Sequence, residues 1–370
     1  MKSEEIKYLL ALQLIGGVGP ATLRKLVEVA GSAKAVFSLT QKDLSTKNRI
    51  STKLLDALSN PKYLARAEEE LEFCKKHSIQ VLSLYDNNYP QRLKQCKDAP
   101  VILFYQGNVD LNYRKVVGIV GTRNATVYGT NLVEKLMEEL SEHKHKVLII
   151  SGLAYGIDII AHRAALKHNI PTVGVMGNGS NLIYPSQHRQ YAAQMIKNGG
   201  ILTEFPKGTK PERGNFVTRN RVIAGLSDAL IVVESGEKGG SLITADMAFS
   251  YNRDVFAFPG KVGDPYSSGC NKLIKMQKAA LIEGISDLEY VMNWAPETNV
   301  EQATQTSLFE GLNTQERSIM ELILQDGNVT IDYLSIKLGL PVSHLSGVLL
   351  NLEFKNMVKS IPGNLYTKAI

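Results

Sequence analysis

Cysteine is scarce in this sequence. Its 370 residues include three cysteines, which are far apart and lack the close spacing of metal ligands. This usage fits a reducing compartment and argues against a disulfide scaffold or a metal site. An apolar run of membrane-spanning length is also missing, and residues 1–15 lack a signal-peptide cleavage region. We therefore expect a cytoplasmic protein with no membrane partner.

The sequence also lacks a strong charge of either sign, because its formal net charge is +6. The excess of Lys and Arg lies in residues 1–80 and 111–290, whereas residues 313–370 carry as many acidic as basic side chains. A polyanionic partner is therefore expected on the first two of these segments and not on the last.

The stretch at 116–126, V-V-G-I-V-G-T-R-N-A-T, organises the rest of the chain. Its first five residues are typical of a strand buried on both faces, and a helical pattern of leucines follows the glycine turn. Such a turn directs backbone N–H groups and the positive helix end to one spot, which favours an anion. A dinucleotide fingerprint has glycine where this turn has Arg123. The turn is therefore predicted to hold a phosphate but not a dinucleotide.

Strand and helix patterns alternate from residue 113 to residue 290. This alternation predicts the α/β class, with a doubly wound, Rossmann-like, mostly parallel sheet whose ligands bind beyond the carboxyl ends of the strands. Extended patterns at 79–84 and 101–105 predict an accessory segment attached to it. The main strands are predicted at 116–120, 147–150, 172–176, 201–203, 229–233 and 255–258.

Residues 1–75 are predicted to form an N-terminal helical domain. Two amphipathic patterns between Leu12 and Leu26 are joined by a glycine hairpin, with Pro20 suited to the first turn of the second helix. The pattern resembles a helix-hairpin-helix (SAM-like) domain, whose backbone amides can hold a nucleic-acid phosphate. A helical corner that serves packing or protein contact explains it equally well.

The C-terminal part is predicted to be a winged-helix domain at 313–370, after a polar linker at 293–312. Three helical patterns precede a hairpin that turns on Pro362-Gly363. Because the total charge of this domain is zero, a protein-contact role is favoured over DNA reading. The Rossmann-like domain is therefore predicted to span 76–292.

The loops at the predicted strand ends carry the binding chemistry. Ser151-Gly152 stands where a nicotinamide-type site has the acidic ligand of the ribose. The next loop, Gly177-Asn178-Gly179, adds a flexible turn and is followed by an aromatic residue at position 184. Small hydroxyls, exposed amides and one arginine suit several phosphates in a row.

A basic segment follows, in which Phe216 lies among the arginines 213, 219 and 221 and the lysines 207 and 210. A basic groove with an interleaved aromatic is typical of single-stranded nucleic-acid binding, where one stacked base contributes ~1–3 kcal/mol. A solvated basic loop is the alternative, and the compact apolar residues after Phe216 disfavour it.

No catalytic constellation emerges from the sequence. Asp158 and His162, four residues apart, are predicted to form a helix-surface hydrogen bond. Ser235 and Ser241 have no evident base, and Glu204 is expected to orient the arginine of the first turn or to form a buried ion pair. We therefore expect a protein that is not an enzyme and has no cofactor.

The sequence contains several long motifs in a fixed order: G-T-R at 121–123, S-G-L-A-Y-G-I-D at 151–158, G-N-G-S-N-L-I-Y-P at 177–185, T-E-F-P at 203–206, N-F-V-T-R-N-R-V-I-A-G-L-S at 215–227 and E-S-G-E-K-G-G-S-L-I-T-A at 234–245. Together they resemble the motifs of the DNA processing protein A family (DprA, also called Smf).

The resemblance implies a recombination mediator that binds single-stranded DNA, loads RecA onto it past single-strand-binding protein, and protects incoming DNA in natural transformation. It also implies a homodimer formed through the Rossmann-like domain. The predicted DNA-binding residues are Gly121, Thr122, Arg123, Ser151, Gly152, Gly177, Gly179, Arg213, Asn215, Phe216, Arg219, Asn220, Arg221, Gly240 and Ser241.

Two other functions stay open. Gly239-Gly240 and Thr244 are similar to a turn of the lysine-decarboxylase-like nucleotide phosphoribohydrolases, which share the Rossmann-like layout. Those enzymes place a catalytic Glu just after their glycine motif, whereas this sequence has Asp246 after a longer spacing. A nucleotide-processing enzyme is the second hypothesis, and an adaptor that acts through the winged helix is the third.

Overall fold

The computed structural model describes residues 3–39, 52–295, 312–327, 329–355, 357–361 and 365–369. The chain divides into two compact units, Met1–Thr298 and Asn299–Ile370. Most of the predicted linker, and the Pro362-Gly363 turn of the predicted hairpin, lie outside the described residues. The first unit contains both the predicted N-terminal helical domain and the predicted Rossmann-like domain.

The N-terminal helices contain the predicted glycine hairpin. Pro20 occupies the first turn of the second helix, as expected from its fixed φ, and Gly31 ends that helix at a φ of 82°, which favours glycine. Before the hairpin, Gln13 Nε2 donates to the Glu204 carbonyl at 2.8 Å. The helices are α1 (Ser3–Leu14), α2 (Pro20–Ala30), α3 (Ala33–Val36), α4 (Thr52–Leu58) and α5 (Lys62–Lys76).

A nine-stranded sheet in the order β1-β2-β6-β5-β4-β3-β7-β8-β9 forms the centre of the first unit. In the part of the sheet ordered β6-β5-β4-β3-β7-β8-β9, every pair of neighbouring strands is parallel. At the other side of the sheet, β1 pairs antiparallel with β2, and β2 pairs antiparallel with β6. The predicted mostly parallel α/β sheet is confirmed. The strands are β1 (Gln80–Ser83), β2 (Ile102–Gly107), β3 (Val116–Val120), β4 (Leu148–Gly152), β5 (Thr172–Val175), β6 (Gly199–Thr203), β7 (Ala229–Val232), β8 (Asp254–Ala257) and β9 (Ala280–Leu281).

The strand order reverses at β3, which lies between β4 and β7. This reversal is the switch point of a doubly wound sheet, where the loops leaving neighbouring strands diverge and open a crevice. Every residue of β3 is buried, because helices cover both faces of the sheet. The turn at 121–123 therefore begins at the place where a ligand crevice is expected.

Helices pack on both faces of the sheet, and alternate strand residues supply the two cores. Val116, Ile150 and Val175 belong to one core, and Val117 and Ile149 belong to the other. The helices are α6 (Gln91–Lys94), α7 (Val127–Glu142), α8 (Ile157–Lys167), α9 (Arg189–Lys197), α10 (Arg213–Leu226), α11 (Gly240–Ser250), α12 (Ser268–Lys275) and α13 (Ile285–Met292), with a 3₁₀ turn at Ser186–His188.

The second unit has the winged-helix arrangement expected from the sequence. Its three helices enclose an apolar core that includes Ile319, Leu334 and Leu349, and its strands pair in the order β10-β12-β11. The elements are α14 (Thr314–Asp326), β10 (Val329–Thr330), α15 (Ile331–Leu338), α16 (Val342–Phe354), β11 (Val358–Ile361) and β12 (Leu365–Lys368).

None of the described helices combines the length and the hydropathy that a membrane span requires. The pair α15 and α16 meets the length and composition criteria only when both are taken together, with a bend of 114° between them. Leu334, Leu345 and Leu349 of this pair are buried in the core of the second unit.

Candidate nucleic-acid interface

Two helices begin beside the switch point, at the carboxyl ends of adjacent strands. β3 leads through Gly121-Thr122-Arg123 to α7, and β7 leads through a glycine-containing loop to α11. The two loops are joined, because the Thr122 N–H donates to the Glu234 carbonyl at 2.8 Å. Each helix directs its N-terminal N–H groups and the positive end of its dipole toward this edge of the sheet.

The N-terminus of α7 already holds an anion, the carboxylate of Glu234. This buried side chain accepts hydrogen bonds from the Thr126 N–H at 2.9 Å and from the Thr126 hydroxyl. A Cβ at Gly129 would lie 2.1 Å from Glu234 Oε2, so glycine makes room for the carboxylate. The anion expected at this helix end is therefore supplied by the protein, at the place where a dinucleotide would put its pyrophosphate.

The N-terminus of α11 is open. Its N-cap is Gly239, which has no side chain that could cap the helix, and a Cβ at Gly240 would meet nothing within 4 Å. A cavity of about 450 Å³ lies at this helix end, and its lining includes Phe216, Lys238, Gly239, Gly240 and Ser241. We name it the Phe216 cavity.

The Phe216 cavity brings nine predicted residues together. Its walls come from the turn after β3, from α10 and from the start of α11. The predicted residues among its lining are Gly121, Thr122, Arg123, Arg213, Phe216, Arg219, Asn220, Gly240 and Ser241.

Two guanidinium groups lie against the ring of Phe216. The Arg123 guanidinium carbon is 5.7 Å from the ring centroid, and that of Arg219 is 5.9 Å from it. Both distances are within the range of a cation–π contact. A Cβ at Gly177 would lie 2.7 Å from the Phe216 ring, so the glycine of the loop after β5 allows the ring to approach.

The two arginines differ in exposure, because Arg219 is buried and Arg123 is exposed. Arg219 is 4% exposed and donates to the Val175 carbonyl. A Cβ at Gly152 would lie 2.3 Å from Asp158 Oδ2 and 2.6 Å from Arg219 Nη1, so glycine at this position leaves room for both groups. Burial raises the pKa of the Asp158 carboxyl, and the charge of Arg219 opposes that rise.

The basic segment forms a helix, α10, and this geometry separates its arginines. Residues two apart on a helix point to nearly opposite sides, so Arg221 points away from the cavity that Arg219 lines. The Arg221 guanidinium donates to the Asp98 carbonyl and pairs with the Glu204 carboxylate. Burial raises the pKa of Glu204 to about 7, and Arg221 opposes that rise. Glu204 thus forms the buried ion pair that was one of its two expected roles.

Besides Arg221, five predicted residues do not line the cavity, and two of these, Gly152 and Gly177, instead make room for residues that do. The buried Ser151 hydroxyl donates to the Ile119 carbonyl at 2.5 Å. Asn215 Nδ2 donates to the Lys210 carbonyl at 3.0 Å. A Cβ at Gly179 would lie 2.5 Å from the Pro206 carbonyl oxygen, so this glycine serves loop packing.

Lys238 and Asp158 line the cavity but were not among the predicted binding residues. Lys238 directly precedes Gly239-Gly240, which was the available sequence signal. Asp158 was expected to bond His162 on a helix surface, and this prediction is wrong because both side chains are buried. His162 instead contacts the Gly152 carbonyl and the Thr172 hydroxyl, each at 2.7 Å. Burial lowers its pKa to about 4, so the ring is neutral at neutral pH.

The other candidate catalytic groups are engaged elsewhere. The Ser241 hydroxyl donates to Ser235 Oγ at 2.9 Å. Asp246, which stands in for the catalytic Glu of the phosphoribohydrolases, pairs with Lys278 at 2.6 Å and does not line the Phe216 cavity.

One cluster, His143, His145 and Glu289, has the side-chain types of a metal site. Both imidazoles lie 2.7 Å from Glu289 Oε1. Lys115 Nζ is 3.1 Å from His145 Nδ1, so Nδ1 accepts from the ammonium and Nε2 carries the proton that Glu289 accepts. A metal-binding imidazole normally donates its second N–H instead. The cluster is therefore a hydrogen-bonded junction that fits a metal ion poorly.

Comparison with known proteins shows the same family in both units. A family model described as DNA recombination-mediator protein A matches residues 80–293, and a DprA winged helix domain model matches residues 303–364. Protein Smf of Synechocystis is 31% identical over the full length of both chains. DNA processing protein DprA of Bacillus subtilis is 39% identical over 72% of this chain and 88% of its own.

Solved structures agree with these matches. The X-ray structure of DprA from Streptococcus pneumoniae is 31% identical, with a TM-score of 0.60 over 77% of this chain and 95% of its own. A structure of DprA from Helicobacter pylori, described for its single-stranded DNA binding mode, is 30% identical, with a TM-score of 0.52 over 58% of this chain and 95% of its own. The protein therefore belongs to the DNA recombination-mediator protein A family.

Proposed function

We propose that this protein binds single-stranded DNA in the Phe216 cavity. The observation that carries the proposal is the Phe216 ring flanked by Arg123 and Arg219, next to the open N-terminus of α11. Aromatic rings stack bases of any sequence, and cationic groups and helix N-termini bind phosphates. The structure of the Helicobacter pylori relative, described for single-stranded DNA binding, supports the proposal.

Within the cavity we assign different tasks to different residues. Arg123, Arg213 and Lys238 bind phosphates, because they are exposed and can move to meet them. The N–H groups of Gly240 and Ser241 bind a further phosphate at the start of α11. Arg219 is buried and supports the Phe216 ring, which stacks a base. The Val175 carbonyl, which accepts from the guanidinium, holds Arg219 in place.

We further propose that the bound DNA serves recombination. In this proposal the protein is a cytoplasmic homodimer, formed through its Rossmann-like domain, that loads RecA onto single-stranded DNA past single-strand-binding protein during natural transformation. The family description as a recombination mediator supports this part. No catalytic step is assigned, and release of free base from nucleoside monophosphates would support the enzymatic alternative.

The winged helix is proposed to contact a protein. Its basic and acidic side chains are equal in number, and Ile336, Leu350 and Phe354 are at least half exposed on its second and third helices. An apolar and electrically neutral surface suits a protein better than a DNA backbone.

The test of DNA binding is a titration of a fluorescent oligothymidylate at several salt concentrations. We expect Arg123→Ala to weaken binding and to reduce the salt slope by about 0.7, the loss of one phosphate contact on a single strand. Lys135→Ala is the control, because this exposed residue of α7 pairs with Glu139 and does not line the cavity. An unchanged affinity and slope for Arg123→Ala would overturn the proposal. RecA loading is tested separately, as stimulation of RecA strand exchange on DNA coated with single-strand-binding protein.

A further inference from the structure

A second aromatic ring lies next to Phe216, outside the lining of the Phe216 cavity. The ring of Tyr184 is 5.9 Å from that of Phe216, with 40° between their planes. Tyr184 is 44% exposed. Among the described residues, the Tyr184 hydroxyl makes no hydrogen bond, so the side chain is free to contact a ligand.

The loop that carries Tyr184 is held in one conformation. The buried Asn178 side chain donates to the Leu182 carbonyl at 2.6 Å and to the Gly179 carbonyl at 3.1 Å. The Gly179 N–H donates to the Thr209 carbonyl at 3.0 Å, and Asn181 Oδ1 accepts from the Gly208 N–H at 2.8 Å. A ring on such a loop binds with little ordering cost.

A nearby tyrosine shows the difference between a packed ring and an available one. Tyr155 is 46% exposed, but its hydroxyl donates to Gln187 Oε1 at 3.0 Å and its ring meets the His188 ring at 5.1 Å. The Tyr155 side chain thus joins the loops after β4 and β5. Tyr184 has only Phe216 as an aromatic neighbour within the part of the chain that the structure describes.

The geometry of the two rings selects an unstacked strand. Bases in a duplex follow each other at about 3.4 Å along the axis and are nearly parallel. The rings of Phe216 and Tyr184 are 5.9 Å apart and tilted by 40°, so two bases stacked on them are spread and tilted. A single strand adopts that arrangement easily, whereas a base-paired one does not.

We propose that Tyr184 is a second base-stacking residue, so that the site binds two successive unstacked bases of a single strand, one on Phe216 and one on Tyr184. This inference rests on the proposed function and adds to it a direction for the strand, from the start of α11 across Phe216 toward the loop after β5.

The experiment measures the affinity of Tyr184→Ala, Tyr184→Phe and Phe216→Ala for a fluorescent oligothymidylate, with far-UV circular dichroism as a check on folding. Tyr184→Ala is expected to bind about 5- to 150-fold more weakly, the effect of one lost stacked base. Its salt slope is expected to equal that of the wild type, because stacking releases no counterions. Tyr184→Phe keeps the ring and is expected to bind like the wild type.

The control variant is Tyr290→Ala. Tyr290 is 87% exposed on α13. The neighbouring Glu289 contacts His143 and His145, which directly precede β4. This part of α13 therefore lies at the amino ends of the strands, opposite the Phe216 cavity. Its removal is expected to leave DNA affinity unchanged.

Three results would overturn the inference. If Tyr184→Ala binds like the wild type while Arg123→Ala and Phe216→Ala are weakened, the second stacking position is wrong and the proposed function stands. If Tyr184→Phe is as weak as Tyr184→Ala, the hydroxyl acts instead of the ring. If none of the variants at 123, 184 and 216 changes the affinity, the proposed function itself fails.

Discussion

The N-termini of α7 and α11 lie at the same edge of the sheet, yet only one of them is available to a ligand. At α7, Glu234 accepts from the Thr126 N–H at 2.9 Å and Gly129 leaves room for the carboxylate. At α11, two glycines begin the helix, and a side chain at Gly240 would meet open space. The same local feature, a positive helix end, therefore stabilises the fold in one place and forms a cavity wall in the other.

This difference explains how a Rossmann-like sheet can carry an arginine in its first turn. In a dinucleotide site the first turn must leave its backbone bare for the pyrophosphate. Here the carboxylate of Glu234 occupies the N-terminus of α7 instead, so this helix end does not require a bare turn, and the exposed Arg123 stands in it. The guanidinium lies toward Phe216, and the helix N-terminus whose glycines line the cavity is that of α11.

Removal of the internal anion at α7 is expected to destabilise the protein most. Glu234→Ala leaves the half-buried Thr126 N–H and hydroxyl without their charged acceptor, and we expect the free energy of unfolding to fall by about 3 kcal/mol. Urea denaturation followed by tryptophan fluorescence measures this change, because the single tryptophan of the sequence, Trp294, contacts Lys115 in the first unit.

Glu237→Ala is the matched control, since this carboxylate lies on the same loop and is exposed. It is expected to unfold like the wild type, within about 0.5 kcal/mol. Equal stability of Glu234→Ala and the wild type would show that the carboxylate does not hold the α7 end.

A carboxylate at the open N-terminus of α11 is expected to weaken DNA binding. Gly240→Asp places a carboxylate at the start of α11, as Glu234 does at α7, and open space around Gly240 accommodates it. Because this carboxylate competes with a phosphate for the same N–H groups, we expect single-stranded DNA affinity to fall about tenfold, or ~1.4 kcal/mol. Gly240→Ala adds a side chain without charge and is expected to bind within about twofold of the wild type. A normal affinity for Gly240→Asp would mean that DNA does not approach α11.

The sequence predicts the sheet and the location of the site better than it predicts individual contacts. Buried parallel strands are continuous apolar runs that end in glycine turns, so both the sheet and its ligand edge follow from local pattern. The role of Glu234 as the anion at the N-terminus of α7 does not follow from local pattern, because Glu234 and Thr126 meet only after β3 and β7 pair side by side.

The helix α10 shows most clearly that side-chain contacts cannot be predicted from the sequence alone. Gly214 and Gly225 make its segment resemble a loop by local propensity, and tertiary burial of Val222 and Ile223 decides the conformation instead. Only the helical geometry reveals that Arg219 and Arg221 point to different partners. Both arginines therefore appear equally suited to DNA in the sequence, although Arg221 pairs with Glu204.

Thr126 lies at the α7 end that Glu234 closes, and its replacement is expected to have a smaller effect. Thr126 is the N-cap of α7: its hydroxyl accepts from the Gly129 N–H at 3.3 Å and donates to Glu234. Thr126→Ala is expected to lower the free energy of unfolding by about 1 kcal/mol, as for other N-cap residues, and to leave DNA affinity unchanged. Because the hydroxyl and the carboxylate share one hydrogen bond, the double variant Thr126→Ala/Glu234→Ala is expected to lose less stability than the sum of the two single variants. Strict additivity in the same urea denaturation would show that the two side chains stabilise the helix end independently.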